Sequence, residues 1–330
     1  MTQLPIKIAG LGSYLPERRV NSAELAERFH IPREQIERTT GVYERRYATH
    51  ETTVSMGAAA ARVALDRAGM DVADIDAIIG ASMAQQAIPC TAALLQRELG
   101  APDGGSACFD INATCLSFLF AVQTAAQMIA AGVYRNVLIV SSEISSASLN
   151  PAQWESAVLF GDAAAAIVLT RSQPEEISAI RYTRMQTYSS GADWTRLLGG
   201  GTLHHPNDPA TLPEMNLFEM NGPAVFRFAL RVLRPFVDEM CTALGWERDA
   251  ITKVVPHQAS RHGLEIVSTR LEFRAEQVYA NLAYRGNCVA ASIPLALCEA
   301  VEERRIQRGD RVLLLGTGAG LTLGAVVFVF

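Results

Sequence analysis

The six cysteines of this chain, at positions 90, 108, 115, 241, 288 and 298, include no C-x-x-C pair and fall in apolar surroundings. Neither a zinc site nor a disulfide framework is indicated, and at most one or two of the thiols are expected to do chemistry. Also missing is any apolar run of the roughly 20 residues needed to span a bilayer. The opening MTQLPIKIAGLGSYLPERRV lacks the basic start and unbroken apolar stretch of a signal peptide, so the expected location is the cytoplasm, with no membrane association. A basic excess is absent as well. A net charge of -5 leaves no global electrostatic case for nucleic acid, and any basic docking site has to be a local patch. With 49% hydrophobic and 19% charged residues over 330 positions, the composition is that of a compact folded protein. The length suits two domains of roughly 150 residues or one large layered assembly.

Along the chain, strand and helix patterns alternate. The apolar IKIAGLG reads as a strand, and NSAELAERF as a helix with Asn21 at its N-cap and Glu24 three residues on. A helix over about 55–68, the strand IDAIIGAS, a helix over 91–99, the strand CFDI, a helix from Cys115 to about Ala131 and the strand NVLIVSSE follow. This is α/β alternation. The segment 189–214 is rich in Gly, Pro, His and Asp without sustained periodicity, and reads as a long loop and a candidate wall of a substrate site. Its adjacent His204 and His205 have the wrong spacing for a shared metal and read as solvated, so no metal is expected.

The second half repeats the first at an offset of about 175 residues. Ile75 to Ile79 corresponds to Ile251 to Val255, and Arg135 to Val140 to Asp310 to Leu315. The same offset lays Asn112-Ala113-Thr114-Cys115 over Asn287-Cys288-Val289-Ala290, each leading into an apolar helix. In a pseudo-twofold pair, equivalent helix starts can converge on one cleft, bringing Cys115 near Asn287. The expected halves are 1–172, carrying the cysteine, and 173–330, carrying a histidine and an asparagine.

Taken alone, Cys115 reads as a buried structural thiol, as most free cysteines are. Three features point instead to a nucleophile. The cysteine opens a helix apolar on nearly every side, whose N-terminal N–H groups and dipole are expected to lower its pKa. His257, in VVPHQAS, directly follows a strand, where α/β folds place ligands. Asn287, in YRGNCVAASIP, follows a glycine that permits unusual backbone angles. GTGAGLTLG (316–324) leads into the strand-like AVVFVF rather than a helix, which fits an oxyanion-binding turn better than a nucleotide loop. Cys, His and Asn in this order also occur in papain-like proteases, but NATCLS lacks the C-G-S-C-W type of signature, and that fold has no internal duplication.

The motifs GLGSYLPERRV, FDINATCLSF, LFGDAAAAIVL, VVPHQAS, YRGNCVAASIP and GTGAGLTLGA, in this order and spacing, resemble the ketoacyl-acyl-carrier-protein synthase III family of the thiolase superfamily. The resemblance covers nearly the whole chain. It implies two similar halves in a five-layered αβαβα sandwich, a homodimer, and no cofactor. It implies transfer of an acyl group from a thioester, usually acyl-CoA, to Cys115, then decarboxylative condensation with malonyl-acyl-carrier protein to a 3-oxoacyl thioester. His257 and Asn287 would donate hydrogen bonds to the malonyl thioester oxygen, and the N–H groups of Cys115 and Ala319 would form an oxyanion hole. Ile88, Gly222, Phe226 and Gly318 fall at substrate-binding positions. Arg227, Arg231 and Arg261 fall at or near positions that dock an acidic carrier protein; Arg227, Arg231 and Arg234, at i, i+4 and i+7, share one helix face. Asp162 and Glu143 match family positions and read as structural hydrogen bonders. An acyltransferase or a non-decarboxylating condensing enzyme on the same scaffold is the alternative.

The sequence departs from the family at sites that touch substrate. Gln35 replaces a tryptophan that stacks on the CoA adenine, with the following arginine displaced to Arg38. Ile88 replaces a phenylalanine that closes the acyl pocket across the dimer interface, so a longer or branched acyl group is expected to fit. The pair Arg261-His262 takes the place of a phosphate-contacting arginine.

Overall fold

A computed structural model describes residues 3–330. The first part runs β1 (Ile6–Tyr14), β2 (Arg19–Asn21), α1 (Ser22–Phe29), α2 (Arg33–Thr40), β3 (Glu44–Arg46), α3 (Thr53–Ala68), β4 (Ala77–Gly80), α4 (Thr91–Leu99), β5 (Ala107–Asp110), α5 (Ser117–Ala130), β6 (Asn136–Glu143), α6 (Trp154–Ala157) and β7 (Ala163–Arg171). The second runs β8 (Ala179–Thr187), β9 (Thr195–Arg196), β10 (Glu219–Met220), α7 (Gly222–Leu244), β11 (Lys253–Pro256), α8 (Arg261–Thr269), α9 (Leu282–Arg285), α10 (Ser292–Glu302), β12 (Arg311–Gly318) and β13 (Thr322–Val329).

Local chemistry sets several of these bounds. Asn21 caps α1 as its sequence predicts, its side chain accepting from the N–H of Glu24 at 3.0 Å. The third helix starts at Thr53, two residues before its expected start, because Thr52 and Ser55 form a capping box. Strand β4 is shorter than the expected 75–82. Asp76 and Ala81 beside it still bond by backbone to Asn136 (3.0 Å) and Val140 (2.7 Å), and the Asp76 carboxylate also accepts from the N–H groups of Arg135 (2.7 Å) and Asn136 (2.9 Å).

One sheet has the order β1-β7-β6-β4-β5 and the other β11-β12-β13-β8. The pair β4–β6 is parallel, as is β11–β12; β6–β7 and β7–β1 are antiparallel, as are β12–β13 and β13–β8. The two sheets are therefore topological copies. The fifth strand of the first sheet has its mate in a single parallel bridge, Val254 to Val278. Between the sheets lie α5 and α10, whose Phe118, Leu119, Ala125, Ile293 and Leu297 join one core with Ile139, Ile167, Val312 and Val326. Helices α3 and α4 cover the outer face of the first sheet, and α7 and α8 that of the second. This is the five-layered αβαβα sandwich. Among the described residues no helix is long and apolar enough to cross a membrane.

The outer layer of the first sheet packs unusually close. A Cβ added at Gly12 would stand 2.2 Å from the Ala60 carbonyl oxygen and 2.6 Å from the Ala64 nitrogen. These are backbone atoms of α3 and cannot rotate away. Gly12→Ala is therefore expected to lower stability by about 2–3 kcal/mol, read as a lower denaturant midpoint. An unchanged midpoint would show that β1 and α3 have slack the packing does not display.

Candidate active site

Cys115 comes from the turn between β5 and α5. The side-chain oxygen of Asn112 accepts from the N–H of Thr114 at 3.0 Å, and its amide donates to the Met83 carbonyl at 2.7 Å. Ser117 Oγ accepts from the Ala113 N–H at 3.0 Å and donates to the Thr114 carbonyl at 2.7 Å. Between them Thr114 is held at φ 52, a left-handed conformation uncommon for a β-branched residue. Cys115 thus sits inside a 3₁₀ turn, Thr114–Leu116, and the α-helix proper begins at Ser117 rather than at the cysteine.

The second half builds the same device. Asn287 accepts from the Val289 N–H at 2.9 Å, Ser292 Oγ accepts from the Cys288 N–H at 3.0 Å, and Val289 has φ 49. The Asn287 amide donates to the Ala259 carbonyl at 3.4 Å, as that of Asn112 does to Met83. The two serines brace these turns, and reasoning from cysteine and asparagine alone misses them. Their signal is the spacing Asn-x-x-x-x-Ser shared by 112–117 and 287–292.

The second helix start is tied through the backbone to the segment that leads into β7. The N–H of Asn287 donates to the Leu159 carbonyl at 2.8 Å, and its carbonyl accepts from the Gly161 N–H at 3.1 Å. His257 follows β11, its N–H donating to the Leu315 carbonyl at 2.8 Å. The glycines of GTGAG allow close approach: a Cβ at Gly316 would meet Leu116 Cδ2 at 2.8 Å and His257 Cβ at 3.1 Å, and one at Gly318 would meet Thr114 Oγ1 at 3.0 Å. This approach aims the Ala319 N–H, with the N–H of Cys115 itself, at the Cys115 sulfur.

Electrostatically the site departs from expectation. Burial pushes the Cys115 thiol up to about 12; the Glu143 carboxyl adds to the rise, and the two N–H groups only oppose it. Desolvation outweighs the lowering expected of a helix start, and the α-helix proper begins only two residues later. Burial pulls His257 down to about 4, so the imidazole is neutral at neutral pH, and its Nδ1 is buried without a protein partner. Glu143 is raised by burial to about 8 while accepting from the amides of Met83 (2.6 Å), Ala290 and Ala84. It ties the loop after β4 to the second helix start, a structural role as the sequence implied. Asp162 is likewise structural, accepting from the N–H groups of Ala48 (2.8 Å) and Ser146 (2.9 Å).

Cys115, His257, Asn287, Gly318 and Ala319 all line one cavity of about 990 Å³. Ile88, Gly222 and Phe226 line it too, and residues 195–201 of the long loop form a wall. Ile88 is 94% exposed at the rim. No Asp or Glu is among the described residues lining this cavity. Of the docking candidates, Arg227 and Arg231 stand exposed on α7, with Arg231 lying 4.8 Å over the Phe228 ring. Arg234 is paired with Glu272 at 2.9 Å and Arg261 with Glu265 at 2.9 Å. Gln35 lies half-buried on α2. No cluster of three or more His, Cys, Asp or Glu placed to hold a metal ion occurs among the described residues.

Residues 109–189 match the family model of 3-oxoacyl-[acyl-carrier-protein] synthase III, and residues 241–330 match the model of its C-terminal part. The β-ketoacyl-[acyl-carrier-protein] synthase III of Sphingopyxis alaskensis is 38% identical over 322 residues, 97% of each chain. That of Trichormus variabilis is 37% identical over 331 residues, 99% of each. The chain belongs to the β-ketoacyl-[acyl-carrier-protein] synthase III family. The crystal structure of the Aquifex aeolicus synthase III superposes with a TM-score of 0.89 at 34% identity, covering 98% of this chain and 100% of that one. The priming β-ketosynthase of the R1128 polyketide pathway superposes at 0.90 with 29% identity, over 99% and 97% of the two chains. This thiolase-like fold and this membership make the protein an acyl-transferring condensing enzyme of the synthase III type.

The raised thiol has a measurable consequence. Alkylation of Cys115 by iodoacetamide, followed on its peptide by mass spectrometry, is expected to accelerate about tenfold per unit between about pH 8 and pH 10 without levelling. A plateau beginning near pH 8 would show a thiolate stabilised in the free enzyme.

Proposed function

We propose that Cys115 is the nucleophile and that His257 and Asn287 hold the acceptor of a decarboxylative condensation. In the first step the Cys115 sulfur attacks the carbonyl of an acyl-CoA or acyl-carrier thioester. The N–H groups of Cys115 and Ala319 hold the oxyanion, and the departing thiolate takes up the proton that the Cys115 thiol gives up. In the second step a malonyl-acyl-carrier thioester places its carbonyl oxygen against the neutral His257 imidazole and the Asn287 amide. The bond from C2 to the carboxylate breaks, carbon dioxide leaves, and the electron pair forms an enolate whose oxygen those donors stabilise. C2 then attacks the acyl-Cys115 carbonyl, the C–S bond breaks, and the thiolate takes a proton from water. The product is a 3-oxoacyl thioester.

The observation that carries this reading is the meeting of Cys115, His257, Asn287 and the Ala319 N–H on one cavity whose described lining has no carboxylate. With no lining carboxylate to take a C2 proton, and with His257 lowered to about 4 and so a weak base, loss of carbon dioxide is the favoured route to the enolate. Ile88, Gly222, Phe226 and Gly318 contribute the substrate path. Arg227 and Arg231, with Arg261 nearby, offer an exposed basic face to an acidic carrier. The two halves, 1–172 and 173–330, each contribute one of the two large sheets. A homodimer in the cytoplasm completes the proposal: it is favoured by the exposed apolar Ile88 and by β5, which ends its sheet with one edge unpaired.

Release of labelled carbon dioxide from malonyl-carrier in the presence of an acyl donor tests the roles. His257→Ala and Asn287→Ala are each expected to lower it by about 10² to 10³, and Cys115→Ser to abolish the acyl adduct seen by intact-protein mass spectrometry. Undiminished release in both alanine variants would sink the assignment.

A further inference from the structure

The cavity has a second arm that these steps leave unused. From His257 it continues into the outer layer of the second half, between α7 and α8 and over β12. There Ala229, Leu233, Gly263, Ile266, Val267 and Leu315 line it. Ala229 and Leu233 share one face of α7, four residues apart, as Gly263 and Val267 do on α8. Leu315 pairs with Pro256, the residue before His257, so the arm begins beside the imidazole. From Val225 to Leu233 the α7 wall is about 12 Å long at 1.5 Å per residue. Gly263 keeps the entrance wide: a Cβ there would meet nothing nearer than Ser260 Oγ at 3.4 Å.

Cys115 does not face this arm. Its side chain packs with the apolar cluster that holds Val158, Phe160 and Val289, bordered by Met83 and Phe218. The arm belongs instead to the cluster of Leu233, Ile266, Val267 and Leu315. An acyl chain on Cys115 therefore has its own apolar surroundings, and the arm lies on the side of the cavity where the acceptor is held. The atom of the acceptor that can carry a chain there is C2 of the malonyl unit.

We propose that the arm seats an alkyl substituent on C2 of the acceptor, so that the enzyme condenses 2-alkylmalonyl thioesters and releases 2-alkyl-3-oxoacyl thioesters. The inference rests on the assignment of His257 and Asn287 to the acceptor. The balance of the reaction is unchanged: the C2–carboxylate bond breaks, carbon dioxide leaves, C2 bonds to the acyl carbon and Cys115 regains its proton from water. An unbranched fatty-acyl acceptor fits less well, since it would need a base for its C2 proton. Glu143, the carboxyl that bears on Cys115, is occupied by backbone amides.

The test uses the full chain with an acyl donor and the N-acetylcysteamine thioesters of malonate, 2-methylmalonate and 2-hexylmalonate, reading carbon dioxide release and product mass. The wild type is expected to use the 2-hexyl acceptor with kcat/KM within about tenfold of malonyl. Leu233→Trp and Val267→Phe are each expected to lose at least about tenfold with the 2-hexyl acceptor alone. Their acyl adduct on Cys115 and their malonyl turnover serve as the check on folding. If either variant fails to load Cys115, Ala229→Leu is read in its place. Rejection of the 2-hexyl acceptor by a wild type that uses malonyl overturns the inference and leaves the proposed function standing. Failure with malonyl as well sinks the proposed function, and the inference with it. Variants that shorten the acyl donor accepted by Cys115 while leaving acceptor preference intact assign the arm to the donor, and also overturn it.

Discussion

Two asparagine side chains hold this active site in place. Asn112 and Asn287 each accept the N–H two residues on, and each turn carries a β-branched residue at positive φ, Thr114 or Val289. Such conformations persist only where the surroundings over-determine them. Here Ser117 and Ser292 supply the second constraint by accepting the intervening N–H. The result is a pair of short 3₁₀ turns ahead of two buried helices, with Cys115 on one turn and the Asn287 amide beside the other. The close passage of Gly316 and Gly318 exists because these turns leave no room for a Cβ. The N–H of Ala319, which bears on the Cys115 sulfur, is positioned in consequence.

Burial then sets the chemistry. A solvated thiol at a helix start gains from the dipole, but at Cys115 the loss of water outweighs it, and the resting group is a thiol. The same desolvation that raises Cys115 lowers His257, which makes the imidazole a neutral donor rather than a cation. In the proposed role, a neutral donor suits an oxygen that gains charge only during the reaction, because it would stabilise the enolate without tightly binding the malonyl carboxylate that must leave.

The sequence shows the architecture clearly because the duplication is written in it. Offsets near 175 align strands β4 with β11 and β6 with β12, and the sheet orders agree. Cys115, His257 and Asn287 are legible as residue types at the ends of recognisable elements, and the structure brings all three to one cavity. What the sequence conceals depends on distance in space. The capping box at Thr52 displaces a helix start through a single hydroxyl. The sign of the Cys115 shift turns on desolvation, which no local pattern records. The anchoring by Glu143 joins Met83, Ala84 and Ala290, residues far apart in the chain. The arm between α7 and α8 follows from Ala229 and Gly263 facing one space from two helices, and in sequence each is only a small residue in an amphipathic pattern.

The duplication also explains why the chain has one such site rather than two. The residue following β4, in the place His257 takes after β11, is Ala81, and the residue matching Cys115 across the 175-residue offset is Ala290. Both alanines are fully buried. Each half thus keeps the strand end, the asparagine turn and the serine, while the cysteine occurs on the turn of the first half only and the histidine at the strand end of the second only. The first half presents the proposed nucleophile, Cys115, on its turn, and the second presents the proposed donors, His257 at its strand end and Asn287 at its turn. In the proposed reaction, acyl transfer at Cys115 and enolate formation at His257 and Asn287 therefore draw on different halves around one cavity.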